Sequence, residues 1–98
     1  MKRYYVYIIT NSNRRTLYTG FSSTLTQRLQ QHYEWRGHQG HFSTRYYCYH
    51  LLYFEEYGEV QDARQRERQI KGYSRKKKLD LIRAVNPRLE FITPPPYA

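Results

Sequence analysis

Tyr4 to Thr10 reads YYVYIIT, Asn11 to Arg15 reads NSNRR, and Thr16 to Phe21 reads TLYTGF. The outer segments are rich in aromatic and β-branched residues and the middle one in turn formers, so the chain opens as a β-hairpin. A turn over Asn11 to Arg14 sets Tyr7 opposite Tyr18 and Tyr5 opposite Gly20, which places two phenols and a glycine on one face with Tyr5. Cross-strand tyrosines often do no more than pack. Gly20 reads either as a strand end or bulge, or as a point where a phosphate nears the backbone.

Working outward, Ser22 to Thr24 offers helix caps, and Leu25, Leu29 and Tyr33 recur at helical spacing to about Trp35, with Arg28 and His32 beside that stripe. Gly37 to Arg45 reads as an exposed loop able to lie over a ligand. Tyr46 to Tyr57 is aromatic and apolar without clean alternation, as expected of a central strand covered on both faces. Gly58 ends it. A helix at about 59 to 71 follows, closed by Gly72, and then a third helix capped by Ser74, buried through Leu79, Leu81, Ile82 and Val85, and ended by Asn86-Pro87. The order β-β-α-β-α-α predicts an α+β domain, a short and mainly antiparallel three-stranded sheet flanked by three helices. Residues 1–90 make the domain, and 91–98 an extended, Pro-rich C-terminal tail with no core of its own.

At 98 residues the chain supports one core and one site. Seventeen Lys and Arg against eight Asp and Glu give a net charge of +9 and a pI near 9.8. That balance points to a polyanionic partner, nucleic acid ahead of an acidic membrane surface. No run approaches the roughly 18 apolar residues of a membrane span, and Met1-Lys2-Arg3 leads into a strand, so a cytoplasmic protein is expected. The single Cys48 excludes an internal disulfide framework and reads as a buried thiol, and the spacing of His32, His38, His41 and His50 argues against structural zinc.

On the helix at 59 to 71 the inward stripe is Val60, Ala63, Glu67 and Ile70, leaving Arg64, Arg66 and Arg68 to flank it or face outward. Glu67 stands where an apolar residue belongs. A carboxylate there either pairs with a cation, Arg28 being the partner the residues suggest, or binds a metal. Arg28 and His32 lie four apart and reach a common point from the first helix. Arg75 to Lys78 are four consecutive cations at a helix start, where the macrodipole disfavours positive charge. They read either as a solvated face or, with Lys71, as a phosphate-docking surface.

Tyr5-Val6-Tyr7, Tyr18-Thr19-Gly20, Arg28 and His32 on one helix and Glu67 on a later one together resemble the GIY-YIG endonuclease superfamily. The resemblance covers about residues 4 to 85. Gly20-Phe21-Ser22-Ser23, Tyr53-Phe54-Glu55-Glu56 and Lys71-Gly72-Tyr73-Ser74-Arg75 look like the small, uncharacterised single-domain bacterial members, similar to the nuclease domain of the eukaryotic junction-cutting subunit. Tyr5 stands where the pattern has glycine and Thr19 where it has isoleucine. The asparagine that some members carry after the glutamate has no counterpart among Lys71 to Lys78.

What the resemblance implies is metal-dependent hydrolysis of DNA phosphodiesters, structure-specific cutting in repair or recombination included. Glu67 would hold one Mg²⁺ or Mn²⁺, Arg28 would stabilise charge, Tyr7 would activate water, Tyr18 would position it and His32 would relay or donate a proton. Gly20, Lys71, Arg75, Lys76, Lys77 and Lys78 are the expected nucleic-acid contacts. DNA, branched or linear, is the expected substrate. RNA, a silent DNA- or RNA-binding role, and a subunit needing a protein partner stand as alternatives, and no membrane is involved.

Overall fold

The computed structural model describes residues 2–38 and 46–98. Its elements are β1 (Tyr4–Thr10), β2 (Leu17–Ser22), α1 (Leu25–Glu34), β3 (His50–Tyr57), α2 (Val60–Lys71) and α3 (Arg75–Arg83). The strands form one antiparallel sheet in the order β2-β1-β3, so the α+β architecture and element order are as the sequence predicts. The loop expected over Gly37 to Arg45 lies, from residue 39 on, outside the described residues.

β1 is the central strand, and the expectation that Tyr46 to Tyr57 fills that place is corrected. Alternation along β1 sends Val6 and Ile8 into a core with Ala63, Ile70 and Ile82, and Tyr5, Tyr7 and Ile9 into a second core with Leu25, Cys48 and Leu51. β3 is an edge strand. Its irregular apolar run reflects a bulge: Ile8 pairs with Tyr53 and Ile9 with Leu51, leaving Leu52 extra. Buried Asn86 donates its amide to the Leu52 and Glu90 carbonyls and accepts from the Glu90 N–H.

The hairpin register is also corrected: Tyr7 faces Gly20, Ile9 faces Tyr18 and Tyr5 faces Ser22. The turn is longer than expected. Asn11 folds it, its side-chain oxygen accepting from the Arg15 and Thr16 N–H groups, and Arg14 adopts a left-handed φ of 61°. The slip is by two residues, so every side chain keeps its face.

Two helix starts differ in their caps. Ser74 caps α3 as expected, its hydroxyl accepting from the Lys77 N–H, whereas the side chain of Thr24 makes no cap bond to α1 and the Thr26 N–H is met by the Ala98 carbonyl. The tail therefore belongs to the packing. Ile92 donates to the Leu51 carbonyl, and Ile92 and Ala98 pack on the second core. Val85, expected in the buried side of α3, is 72% exposed, because α3 ends at Arg83 before a turn that seats Asn86.

Candidate active site

Tyr7 leaves β1 on the α1 side of the sheet and crosses the neighbouring strand over Gly20. A Cβ at position 20 would lie 2.5 Å from the Tyr7 phenol oxygen and its ring carbon. A phenol thus makes a close approach to this backbone. The phenol ends 3.1 Å from His32 Nε2.

Helix α1 delivers that histidine on a stripe of Leu25, Leu29 and His32, positions that share a helical face. His32 is buried, edge-on to the rings of Tyr18 at 5.6 Å and Tyr7 at 6.0 Å. Tyr33, expected on the inward stripe, is instead 46% exposed, with Arg36 over its ring and Tyr49 at its edge. A polar residue takes the inward place because Tyr7 offers it a hydrogen-bond partner. Arg28 is exposed at the margin of the same face.

Burial pushes the Tyr7 phenol well above its ordinary range. Tyr18 acts in the same direction, Arg28 pulls it down and Glu67 pushes it up. Groups from β1, β2, α1 and α2 therefore bear on one phenol. The arrangement can pass a proton between Tyr7 and His32.

Glu67 is half-buried and pairs with Lys71 at 3.1 Å, one turn along its own helix, so the ion pair expected with Arg28 is corrected. Both residues line a cleft of about 460 Å³ with Phe21, Arg64 and Arg68. Arg64 and Arg68 follow from the helical spacing Arg64, Glu67, Arg68, Lys71, a signal the outward assignment of these arginines passes over. Arg66 points elsewhere, bonding Glu55 on β3.

Among the described residues no three His, Cys, Asp or Glu side chains converge. One carboxylate in a cationic cleft cannot hold a divalent ion tightly by itself. It does fit the pattern of Mg²⁺, which keeps most of its waters and takes one or two carboxylates plus substrate phosphates. Cys48 is buried and its thiol pushed up to about 11, so it is inert.

The cationic run on α3 is divided in its roles. Lys76 pairs with Asp80 and Lys77 lies 4.2 Å from the Tyr73 ring. Arg75 and Lys78 line a cavity of about 210 Å³ with Thr16, Leu17 and Arg15 of the hairpin turn. Arg15 carries no sequence signal of its own; folding brings it there.

Residues 3–80 match the family model of the GIY-YIG catalytic domain. The chain belongs to the GIY-YIG family. Similar proteins include the UPF0213 proteins of Staphylococcus aureus strains Mu50 and N315, each 36% identical over 83 residues, spanning 85% of this chain and 98% of theirs. A solution NMR structure of a UPF0213 protein from Bacillus halodurans shares the fold, with a TM-score of 0.56 over 88% of each chain at 22% identity. This GIY-YIG domain is thus of the small, single-domain bacterial type. Family membership implies a nuclease-type domain and a nucleic-acid substrate, and no described helix is long and apolar enough to cross a membrane.

Proposed function

We propose that the protein is an endonuclease that hydrolyses DNA phosphodiester bonds with one divalent metal ion, Mg²⁺ or Mn²⁺, held by Glu67. The observation that carries this reading is the bearing of His32, Tyr18, Arg28 and Glu67, from three further elements, on the Tyr7 phenol. When bound, the ion would supply charge neutralisation at a phosphate oxygen. Glu67 and the phosphate would hold it between them, with Lys71 yielding one carboxylate oxygen or bonding the phosphate in its place.

Burial keeps Tyr7 a neutral phenol, so a free phenolate is not the base. A relay avoids the difficulty: Tyr7 takes a proton from the attacking water as its own passes to His32 Nε2 at 3.1 Å. The phosphorus–oxygen bond to the leaving group then breaks, and that oxygen is protonated from solvent. Tyr18 sits edge-on to the same imidazole and orients the water, and Arg28 meets the charge that develops on phosphorus-bound oxygen. Lys71, Arg75, Lys76, Lys77 and Lys78 contribute backbone attraction without base specificity. Branched substrates of repair or recombination, encountered in the cytoplasm, are the first to assay.

The test is cleavage of branched and linear DNA with and without Mg²⁺ or Mn²⁺. Glu67→Ala should abolish cutting while DNA affinity stays within a few-fold, because one carboxylate adds little to binding beside so many cations. Circular dichroism must confirm that the variant is folded. Undiminished cutting by the folded variant overturns the assignment, and a wild type that binds but never cuts in any metal favours the silent module or partner-dependent subunit.

A further inference from the structure

Two cation-lined openings flank the edge strand β2 on the side covered by α2 and α3. Side chains at 17, 19 and 21 share that face, and Leu17 borders the cavity of Arg15, Arg75 and Lys78 while Phe21 borders the Glu67 cleft. Four residues of strand separate them, about 13 Å at ~3.3 Å per residue.

The smaller cavity has no carboxylate in its lining. Among the described residues neither Arg15 nor Lys78 has an acidic partner, and Arg75 is steadied by donating to the Arg14 carbonyl. Three cations held around about 210 Å³ repel one another, and an anion of phosphate size relieves that repulsion. The turn that presents Arg15 is built for the purpose of holding its shape: Asn11 and Asn13 side chains both accept from the Arg15 N–H, and Arg14 is anchored on the Leu89 carbonyl.

Resting on the nuclease reading of the Glu67 cleft, we propose that this cavity binds a backbone phosphate of the same nucleic-acid strand, a few nucleotides from the phosphate that is cleaved. The offset is set by the ~13 Å of β2 between Leu17 at one opening and Phe21 at the other. The site fixes where the strand lies on β2 and reads no base.

The experiment measures DNA affinity by fluorescence anisotropy in EDTA, where nothing is cut, for wild type, for Arg15→Gln/Lys78→Gln, and for a charge-matched control, Arg83→Gln/Arg88→Gln. Both control residues are exposed and outside the two openings. The cavity variant should bind several-fold more weakly, with a log–log salt slope smaller by about 0.7 to 0.9, the signature of one phosphate contact. The control should lose less on both measures. Equal losses in the two variants, or none in either, overturn the proposal. A second arm scans a neutral methylphosphonate along a labelled strand: affinity should dip at one step in wild type, and the dip should vanish in the cavity variant. A dip that persists in that variant also overturns it. Because binding is read without catalysis, failure of the nuclease reading would appear only in the Glu67→Ala cleavage assay and leave this result standing.

Discussion

At the scale of single residues, a methyl group at position 20 would sit 2.5 Å from the Tyr7 phenol, so Gly20→Ala must displace the ring from His32. The expected outcome is a cleavage rate reduced about as far as by Tyr7→Phe, which removes the hydroxyl directly and should cost about 10²-fold, the scale of a positioned proton-transfer group. Tyr18→Phe should cost less. Single-turnover kinetics on saturating DNA would check this, and equal, negligible effects of all three would return the hairpin tyrosines to a packing role. Thr19 has the opposite character. Its hydroxyl is buried without a hydrogen-bond partner among the described residues, on the face it shares with Val6 and Ile8. Thr19→Val should therefore stabilise the fold by about 1 kcal/mol, read from urea denaturation.

Between elements, β3 is fastened to α2 by Glu55, which accepts from Arg66, Tyr53 and Tyr57, while Arg66 also reaches Gln69 and Tyr73. Burial alone would push the Glu55 carboxyl up, but the bonds from Arg66, Tyr53 and Tyr57 outweigh it and hold the carboxyl below its ordinary value. A carboxyl lower in the folded than in the unfolded chain adds stability above the unfolded value of about 4.3, and that stability is lost as pH falls below it. Glu55→Gln should thus be destabilised against wild type at neutral pH, with the gap closing below about pH 4 in thermal melts. Elements of this kind were partly legible in the sequence. Order, helix limits and the Ser74 cap follow from periodicity and short-range chemistry, which local residues decide. The two-residue slip of the hairpin did not, because the Asn11 side chain closes a longer turn than dipeptide signals indicate. Nor did the edge position of β3, since a bulged strand under two cores is as apolar as a central one. In the candidate site, the nearness of Tyr7, Tyr18 and His32 was legible as part of a larger expected set with Arg28 and Glu67. Which of His32 and Tyr33 faces inward, and which cation meets Glu67, depended on partners brought from other strands or one helical turn away.

For the molecule as a whole, the proposed reading, with a single carboxylate in a cationic cleft, predicts metal binding that depends on the substrate. Titration calorimetry should detect little Mg²⁺ or Mn²⁺ uptake by the protein alone at submillimolar metal, and measurable uptake once DNA is present, with Glu67→Ala abolishing the increment. Tight binding by the free protein would refute this account of the cleft. The two sheet edges raise a separate matter, colloidal behaviour. The outer side of β3 is occupied by the Ile92 N–H and the Asn86 amide, whereas β2 is an edge with Arg15, Arg75 and Lys78 near one end and Arg64, Arg68 and Lys71 near the other. Bringing two β2 edges together would press like charges against like, a common protection of edge strands. Salt removes it, since the screening length falls from about 10 Å at 0.1 M to about 3 Å at 1 M. Light scattering should accordingly show monodisperse protein in dilute buffer and growing self-association in concentrated salt, so that the buffers usually chosen to strip nucleic acid from a basic protein are the ones in which this one is hardest to keep in solution.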